Sequence, residues 1–166
     1  MVESMLLIRL PGLDAPIAPW RSEDAPAGIG AHVTVLTPFL PPEAVDAAVL
    51  AELGALFAGH RAFDLCFSRT GRFPGFLYLL PEPDRPLRAL TDAVYERWPR
   101  YPPYSGRYTD LTPHLSVVYD RDDAYCEAAR RRLEPGLPVH ARVDAVDLLF
   151  SDGVRWSTHR SFPLGS

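Results

Sequence analysis

The sequence predicts an α+β fold built mainly from antiparallel sheets. Short apolar or alternating runs, bounded by Pro, Gly or Asp, recur along the 166 residues. They read as strands, several of them adjacent as hairpins. Three longer segments carry apolar residues at helical spacing instead. One short pattern occurs twice, as Ala31-His32-Val33-Thr34-Val35 and as Pro113-His114-Leu115-Ser116-Val117. Its histidines are 114 − 32 = 82 positions apart, close to half the chain.

The elements follow in order. Residues 5–10 are an apolar run closed by Pro11-Gly12, a buried strand. Residues 14–30 are rich in Pro, Ala and Gly without periodicity and read as a loop, with Trp20 pinning it to the body. Residues 29–36 form the first motif strand, stopped by Thr37-Pro38. Phe39, just beyond it, either fills the core or stacks on a base or ribose; core filling is the simpler reading. Pro41-Pro42 opens a helix, because proline is tolerated in the first turn. Val45, Val49, Leu53 and Leu56 make its stripe and Gly59 fits its C′ position. Phe63, Leu65 and Phe67 alternate as a half-buried strand, Gly71 turns the chain, and residues 73–80 return. Asp84 caps a second helix with a stripe of Leu87, Leu90, Val94 and Trp98, ended by Pro99. Residues 101–111 are a loop dense in Tyr, Pro, Gly and Arg, leading into the second motif strand at residues 113–119. Asp120 or Asp122 caps a third helix, whose Arg130, Arg131 and Arg132 complement the helix dipole. Residues 139–151 read as one long strand, Asp152-Gly153 as a turn, and residues 154–162 as the final strand. Each half thus holds an apolar strand, a connection, a motif strand, a helix and another strand, without a strict repeat.

In an extended strand, side chains two apart share a face. His32 and Thr34 then lie together, about 6–7 Å apart by the usual rise, as do His114 and Ser116. Val33, Val35, Leu115 and Val117 anchor the opposite faces. Strands placed side by side would bring two imidazoles and two hydroxyls to one spot. Two histidines supply a general base and a general acid near neutral pH, and two hydroxyls donate to anionic oxygens. That chemistry suits breaking a phosphodiester without a metal.

Composition narrows the partners. The net charge is −4, whereas proteins gripping a long nucleic acid usually present a basic surface, so contact with few phosphates is expected. Cys66 and Cys126 have no framework spacing and read as reduced thiols of a cytoplasmic protein. No segment is long and apolar enough to span a membrane, and the N-terminus lacks a signal-peptide pattern. No metal-site motif, P-loop or dinucleotide fingerprint is present, so neither a metal nor a cofactor is expected. The 18 prolines punctuate patterned segments rather than mark disorder.

The two motifs, H-V-T-V at His32 and H-L-S-V at His114, resemble the paired H-x-[ST]-x motifs of the 2H phosphoesterase superfamily, most closely its 2′-5′ RNA ligase-like and cyclic phosphodiesterase branch. The flanks are similar too: G-A-H-V-T-V-L-T-P-F, R-F-P-G-F-L-Y-L-L-P-E-P, and Y-P-P-Y-S-G ahead of T-P-H-L-S-V. The resemblance covers nearly the whole chain. It implies one domain over residues 1–166, with two pseudo-symmetric lobes around a central cleft, helices outside and both motifs inside. It also implies hydrolysis or transesterification of 2′,3′-cyclic or 2′-5′ phosphodiesters of nucleotides or RNA ends, with a 2′-phosphate product. His32 and His114 are then the catalytic pair, in either order of base and acid, and Thr34 and Ser116 bind the phosphate. In 2′-5′ ligation the two histidines exchange roles.

Other residues are weighed against that set. A third H-x-S, His159-Arg160-Ser161, has arginine where the motifs have a core residue, and reads as an edge-strand histidine. His60 and His140 read as structural. Arg72, Arg107 and Arg121 stand near motif segments and either neutralise phosphate or remain on the surface. Tyr104 and Tyr108 either stack on a base or are solvated. The competing reading is a non-catalytic module binding a nucleotide or RNA end in the same cleft. The third is a purely structural protein. A monomer is expected, because an internal site needs no second copy.

Overall fold

The first strand, β1 (Glu3–Arg9), shows why its run is apolar without alternating. It lies inside a sheet with core on both faces. Leu6 and Ile8 enter the main core, while Met5 and Leu7 join Ile29 and Leu149 in a second cluster capped by Trp156. The computed structural model describes residues 2–21 and 25–166.

Among the described residues the strands form two four-stranded antiparallel sheets of matching plan. One has the order β2-β1-β7-β8, with β2 at His32–Leu36, β7 at Ala145–Ser151 and β8 at Trp156–Pro163. The other has the order β5-β4-β3-β6, with β3 at Phe63–Phe73, β4 at Phe76–Glu82, β5 at Leu115–Val118 and β6 at Val139–Val143. The fold is therefore α+β in two lobes, as the sequence predicts. Each motif strand is the edge of its own sheet, and the two edges meet at the centre of the molecule. One core cluster runs through both lobes; Val33, Val35, Leu115 and Val117 are all buried in it.

The helices hold this frame. A single turn, α1 (Asp14–Ile17), buries Ile17. Helix α2 (Ala47–Ala58) packs on β8, helix α3 (Arg85–Arg97) on β2, and helix α4 (Asp123–Leu133) on β4. In α3, Leu87, Leu90 and Val94 face the core as the stripe requires. Asp122, rather than Asp120, caps α4, accepting from the Tyr125 amide at 2.8 Å. Arg130 pairs with Glu127 and Glu134, so that arginine cluster is a surface ion-pair network. Phe39 is buried and meets Trp98 edge-on at 5.2 Å between ring centres, which settles it as core.

Five expectations are corrected. Residues 14–30 are not all loop: α1 and a 3₁₀ turn at Ala18–Trp20 order the first part, with Trp20 edge-on to Tyr125. Residues 22–24 of that stretch lie outside the described residues. The helix after Pro41-Pro42 begins only at Ala47. Pro42–Ala44 is a separate 3₁₀ turn, and Asp46 caps α2 by accepting from the Val49 amide at 2.9 Å. Gly59 ends α2 in a right-handed conformation as its C-cap. Gly71 does not turn the chain; β3 continues through it, and the turn is at Pro74-Gly75, where Gly75 has φ +81°. Finally, residues 139–151 are two strands in different sheets. The chain crosses from one lobe to the other at Asp144, whose carbonyl accepts from the Leu164 amide at 2.8 Å.

Candidate active site

Both motif histidines are held in the same way. The Nδ1 of His32 is 2.8 Å from the Gly30 carbonyl, and the Nδ1 of His114 is 2.7 Å from the Thr112 carbonyl. A carbonyl accepts only, so each ring carries its proton on Nδ1 when neutral. Nε2 is then the atom that takes or gives a proton. The geometry comes from backbone that leaves a residue two before each histidine with its carbonyl facing the ring. Around the first motif, Asp14 fixes that backbone by accepting from the Ala31 amide at 2.6 Å. Gly30 has no room for a side chain there, since a Cβ would stand 2.4 Å from the Asp14 carboxylate.

Burial sets the charge state. His32 is 8% exposed. Burial lowers its pKa from 6.5 to about 4, with help from the positive charges of Arg21, His114 and Arg9, while the Gly30 carbonyl opposes the shift. Burial also lowers the pKa of His114, opposed by the Thr112 carbonyl. In the unliganded site both rings are therefore neutral near pH 7.

The hydroxyls have matching partners. Thr34 is hydrogen-bonded to the Tyr104 phenol and Ser116 to the Tyr119 phenol, and burial raises the pKa of both phenols. Each phenol thus stays protonated near neutral pH, and each motif hydroxyl has a phenol as its neighbour. Thr34 Oγ1 also lies 4.0 Å from the Met5 sulfur. The loop carrying Tyr104 is anchored by its own amide, which donates to the Thr37 carbonyl at the end of β2 at 2.6 Å. Tyr104 and Ser105 sit there at φ +51° and +56°, a strained backbone of the kind found at functional sites.

A groove of about 570 Å³ opens beside His114 and Ser116, walled by Phe73, Pro74, Phe76, Tyr104 and Tyr108. Phe73 is 43% exposed and Tyr108 61% exposed, unusual for large rings. Phe73 meets the His114 imidazole edge-on at 5.5 Å, and Tyr78 lies 5.3 Å from it. Gly71 makes this possible: the Tyr78 ring lies across its α-carbon, where a Cβ would come within 2.3 Å of the ring. A second recess, shared by Thr34 and His114, lies under α3, whose Thr91 hydroxyl donates to the Val35 carbonyl at 2.7 Å.

Thus the structure gathers His32, His114, Thr34, Ser116 and Tyr104 at the junction of the lobes, with Tyr108 on the groove wall. It does not gather the arginines read from sequence. Arg72 is engaged by the Phe76 carbonyl and Asp123. Arg121 stacks on the Tyr125 ring at 3.8 Å. Arg107 is exposed. His159 is on the β8 edge, stacked on Phe150 at 4.2 Å, and His140 is exposed on β6. The carbonyl of His60 accepts from the Gly165 amide, a structural role. Two site residues escape the sequence reading. Tyr119 was legible, being three residues after Ser116 at the end of the motif strand. Arg21 was not, since it lies in an aperiodic stretch. Its Nη2 donates to the Ile29 carbonyl at 3.0 Å, and its guanidinium carbon is 5.8 Å from the centre of the Tyr119 ring.

Among the described residues, no three His, Cys, Asp or Glu side chains group as metal ligands, and no helix is long and apolar enough to cross a membrane. Cys66 and Cys126 form no disulfide, and burial raises the Cys126 thiol.

Residues 11–155 match the model of the 2′-5′ RNA ligase superfamily. Comparison with curated proteins gives no significant sequence match. Among solved structures, E. coli LigT complexed with 3′-AMP is 18% identical over 99% of this chain and 98% of its own, at a TM-score of 0.64. E. coli LigT complexed with NADP+ is 20% identical over the same shares, at 0.64. A Thermus thermophilus protein, TT0787, is 17% identical over 99% of each chain, also at 0.64. These likenesses show a shared fold.

Proposed function

Because this chain belongs to the 2′-5′ RNA ligase superfamily, a group of phosphoesterases, we propose that it is a metal-independent phosphodiesterase for 2′,3′-cyclic phosphates or 2′-5′ linkages of nucleotides or RNA ends. The observation that carries the reading is the shared anchoring of two neutral imidazoles through Nδ1, each beside a hydroxyl backed by a phenol. A binding module has no need of two rings held in one tautomer. The nucleotide part of the reading is supported by the aromatic groove and by the 3′-AMP, ATP and NADP+ complexes of E. coli LigT.

The groove also supports one direction for the reaction. It adjoins His114 and Ser116, so the base and ribose of a cyclic nucleotide lie on that side, with the phosphate between Thr34 and Ser116. In-line attack then brings water from the His32 side. His32, the more deeply buried ring, takes a proton from water at Nε2 as its oxygen bonds to phosphorus. His114, protonated in the bound complex by the phosphate's negative charge, gives its Nε2 proton to the ribose oxygen as the P–O bond breaks. Thr34 and Ser116 donate to the non-bridging oxygens, where charge accumulates. Each acid or base role is typically worth about 10²–10⁴-fold.

The test is hydrolysis of 2′,3′-cyclic nucleotides with EDTA present. Wild type turns them over, and His32→Ala and His114→Ala each lose at least about a hundredfold. Activity that disappears with EDTA, or survives in either variant, overturns the two-histidine mechanism.

A further inference from the structure

Arg21 stands beside the two motif strands and is explained by neither. Trp20, beside it, is fixed by its ring contact with Tyr125 and by the Tyr125 hydroxyl, which donates to the Trp20 carbonyl at 3.4 Å. One guanidinium nitrogen, Nη2, is bonded to the Ile29 carbonyl. The other, Nη1, is buried and has no hydrogen-bond partner among the described residues. A buried charged N–H normally finds an acceptor. No carboxylate among the described residues forms an ion pair with Arg21. Its charge is felt at both halves of the site, by His32 of the first motif and by Tyr119, which is bonded to Ser116 of the second. A fixed cation with a buried, unused donor, seated between the carbonyl of Ile29, three residues before His32, and the ring of Tyr119, three residues after Ser116, has the chemistry of an anion receptor.

We infer that Arg21 is a substrate-binding residue whose Nη1 donates to a non-bridging oxygen of the bound phosphate, making the third wall of a site completed by Thr34 and Ser116. This rests on the phosphodiester reading of the cleft and adds to it. Charge on those oxygens rises from the monoanionic diester to the dianionic phosphorane, so Arg21 binds the latter more tightly and acts on kcat more than on KM. The same donor holds a phosphomonoester dianion, so the product and inorganic phosphate bind to the site.

The experiment is calorimetric titration of inorganic phosphate into wild type, Arg21→Gln, Arg21→Lys and, as a surface control, Arg107→Gln. Wild type and Arg107→Gln bind alike; Arg21→Gln binds at least tenfold more weakly, and Arg21→Lys falls between. Lysine keeps the charge, but one ammonium cannot reproduce the arginine fork. NMR titration of the unliganded variants supplies a second readout: the His32 pKa rises in Arg21→Gln and stays low in Arg21→Lys, and the lysine variant, which keeps the charge, also reports should Arg21→Gln not fold. In turnover, kcat/KM for a cyclic nucleotide falls about a hundredfold in Arg21→Gln. Phosphate binding within twofold of wild type in Arg21→Gln, or none in wild type, overturns the assignment. Arginine-dependent phosphate binding without hydrolysis leaves Arg21 in place and sinks the phosphodiesterase reading instead.

Discussion

Lowering the pH should destabilise this protein through one ring. His32 has an ordinary imidazole pKa of 6.5 when unfolded and about 4 when folded. The unfolded chain therefore binds the proton first as pH falls. Stability contributed by the neutral buried ring is complete above pH 6.5 and is lost progressively down to about pH 4. Each unit of difference is worth about 1.4 kcal/mol, so about 3 kcal/mol disappears across the whole window and about 2 kcal/mol by pH 5. The perturbation is His32→Asn, whose amide donates to the Gly30 carbonyl as Nδ1–H does but does not titrate. Urea unfolding of both proteins at pH 7.5, 6 and 5 isolates the effect, since His114 and the carboxylates titrate in both. Wild type should lose about 2 kcal/mol more than His32→Asn between pH 7.5 and 5. Parallel curves would refute the reasoning, because His32 would then be no more buried than an ordinary surface histidine.

Three further outcomes are expected. The pH profile of kcat/KM for a monoanionic cyclic phosphate should be bell-shaped and peak below pH 6.5, since burial lowers both histidines in the free enzyme; a peak above pH 7 contradicts this. Gly71→Ala should cost about 1–3 kcal/mol in urea unfolding and shift the His114 NMR signal, because the added Cβ displaces Tyr78; an unchanged signal would mean that Tyr78 does not seat His114. Phe73→Ala and Tyr108→Ala should each weaken binding of a cyclic nucleotide by about 1–3 kcal/mol and leave a base-free ribose cyclic phosphate unaffected; equal losses on both substrates rule out stacking.

Much of this was legible in the sequence because period and position coincide. The alternation of His32 and Thr34 with Val33 and Val35 assigns one face to core and the other to the cleft, and the structure buries all four motif apolar residues. The stripe of α3 was equally plain. The crossing at Asp144 was visible only as a slip of phase. Val139, Ala141 and Val143 turn inward at odd positions, whereas Val146 and Leu148 do so at even ones. One strand cannot change faces, so the slip marked a break that the shared β-like composition concealed. Gly71 misled because glycine signals a turn locally, whereas here the demand comes from a ring on the neighbouring strand. Arg21 was out of reach altogether, since its role depends on a carbonyl eight residues away and on a tyrosine nearly a hundred residues on.

The crossing at Asp144 also bears on how the molecule is made. The duplicated pattern invites a division of the chain into two halves, each a lobe, but the lobes are not cut that way. The sheet bearing His32 starts with β1 and β2 and is finished by β7 and β8, the last strands of the chain. The sheet bearing His114 is contributed entirely by the intervening segment, residues 63–143. On a ribosome the inner lobe has all its strands while the outer one still waits with two, a hairpin too small to persist alone. The sheet that carries the first histidine is thus completed only in the closing step of assembly. A fragment ending before residue 145 would carry both motifs, one on a complete sheet and the other on half of one.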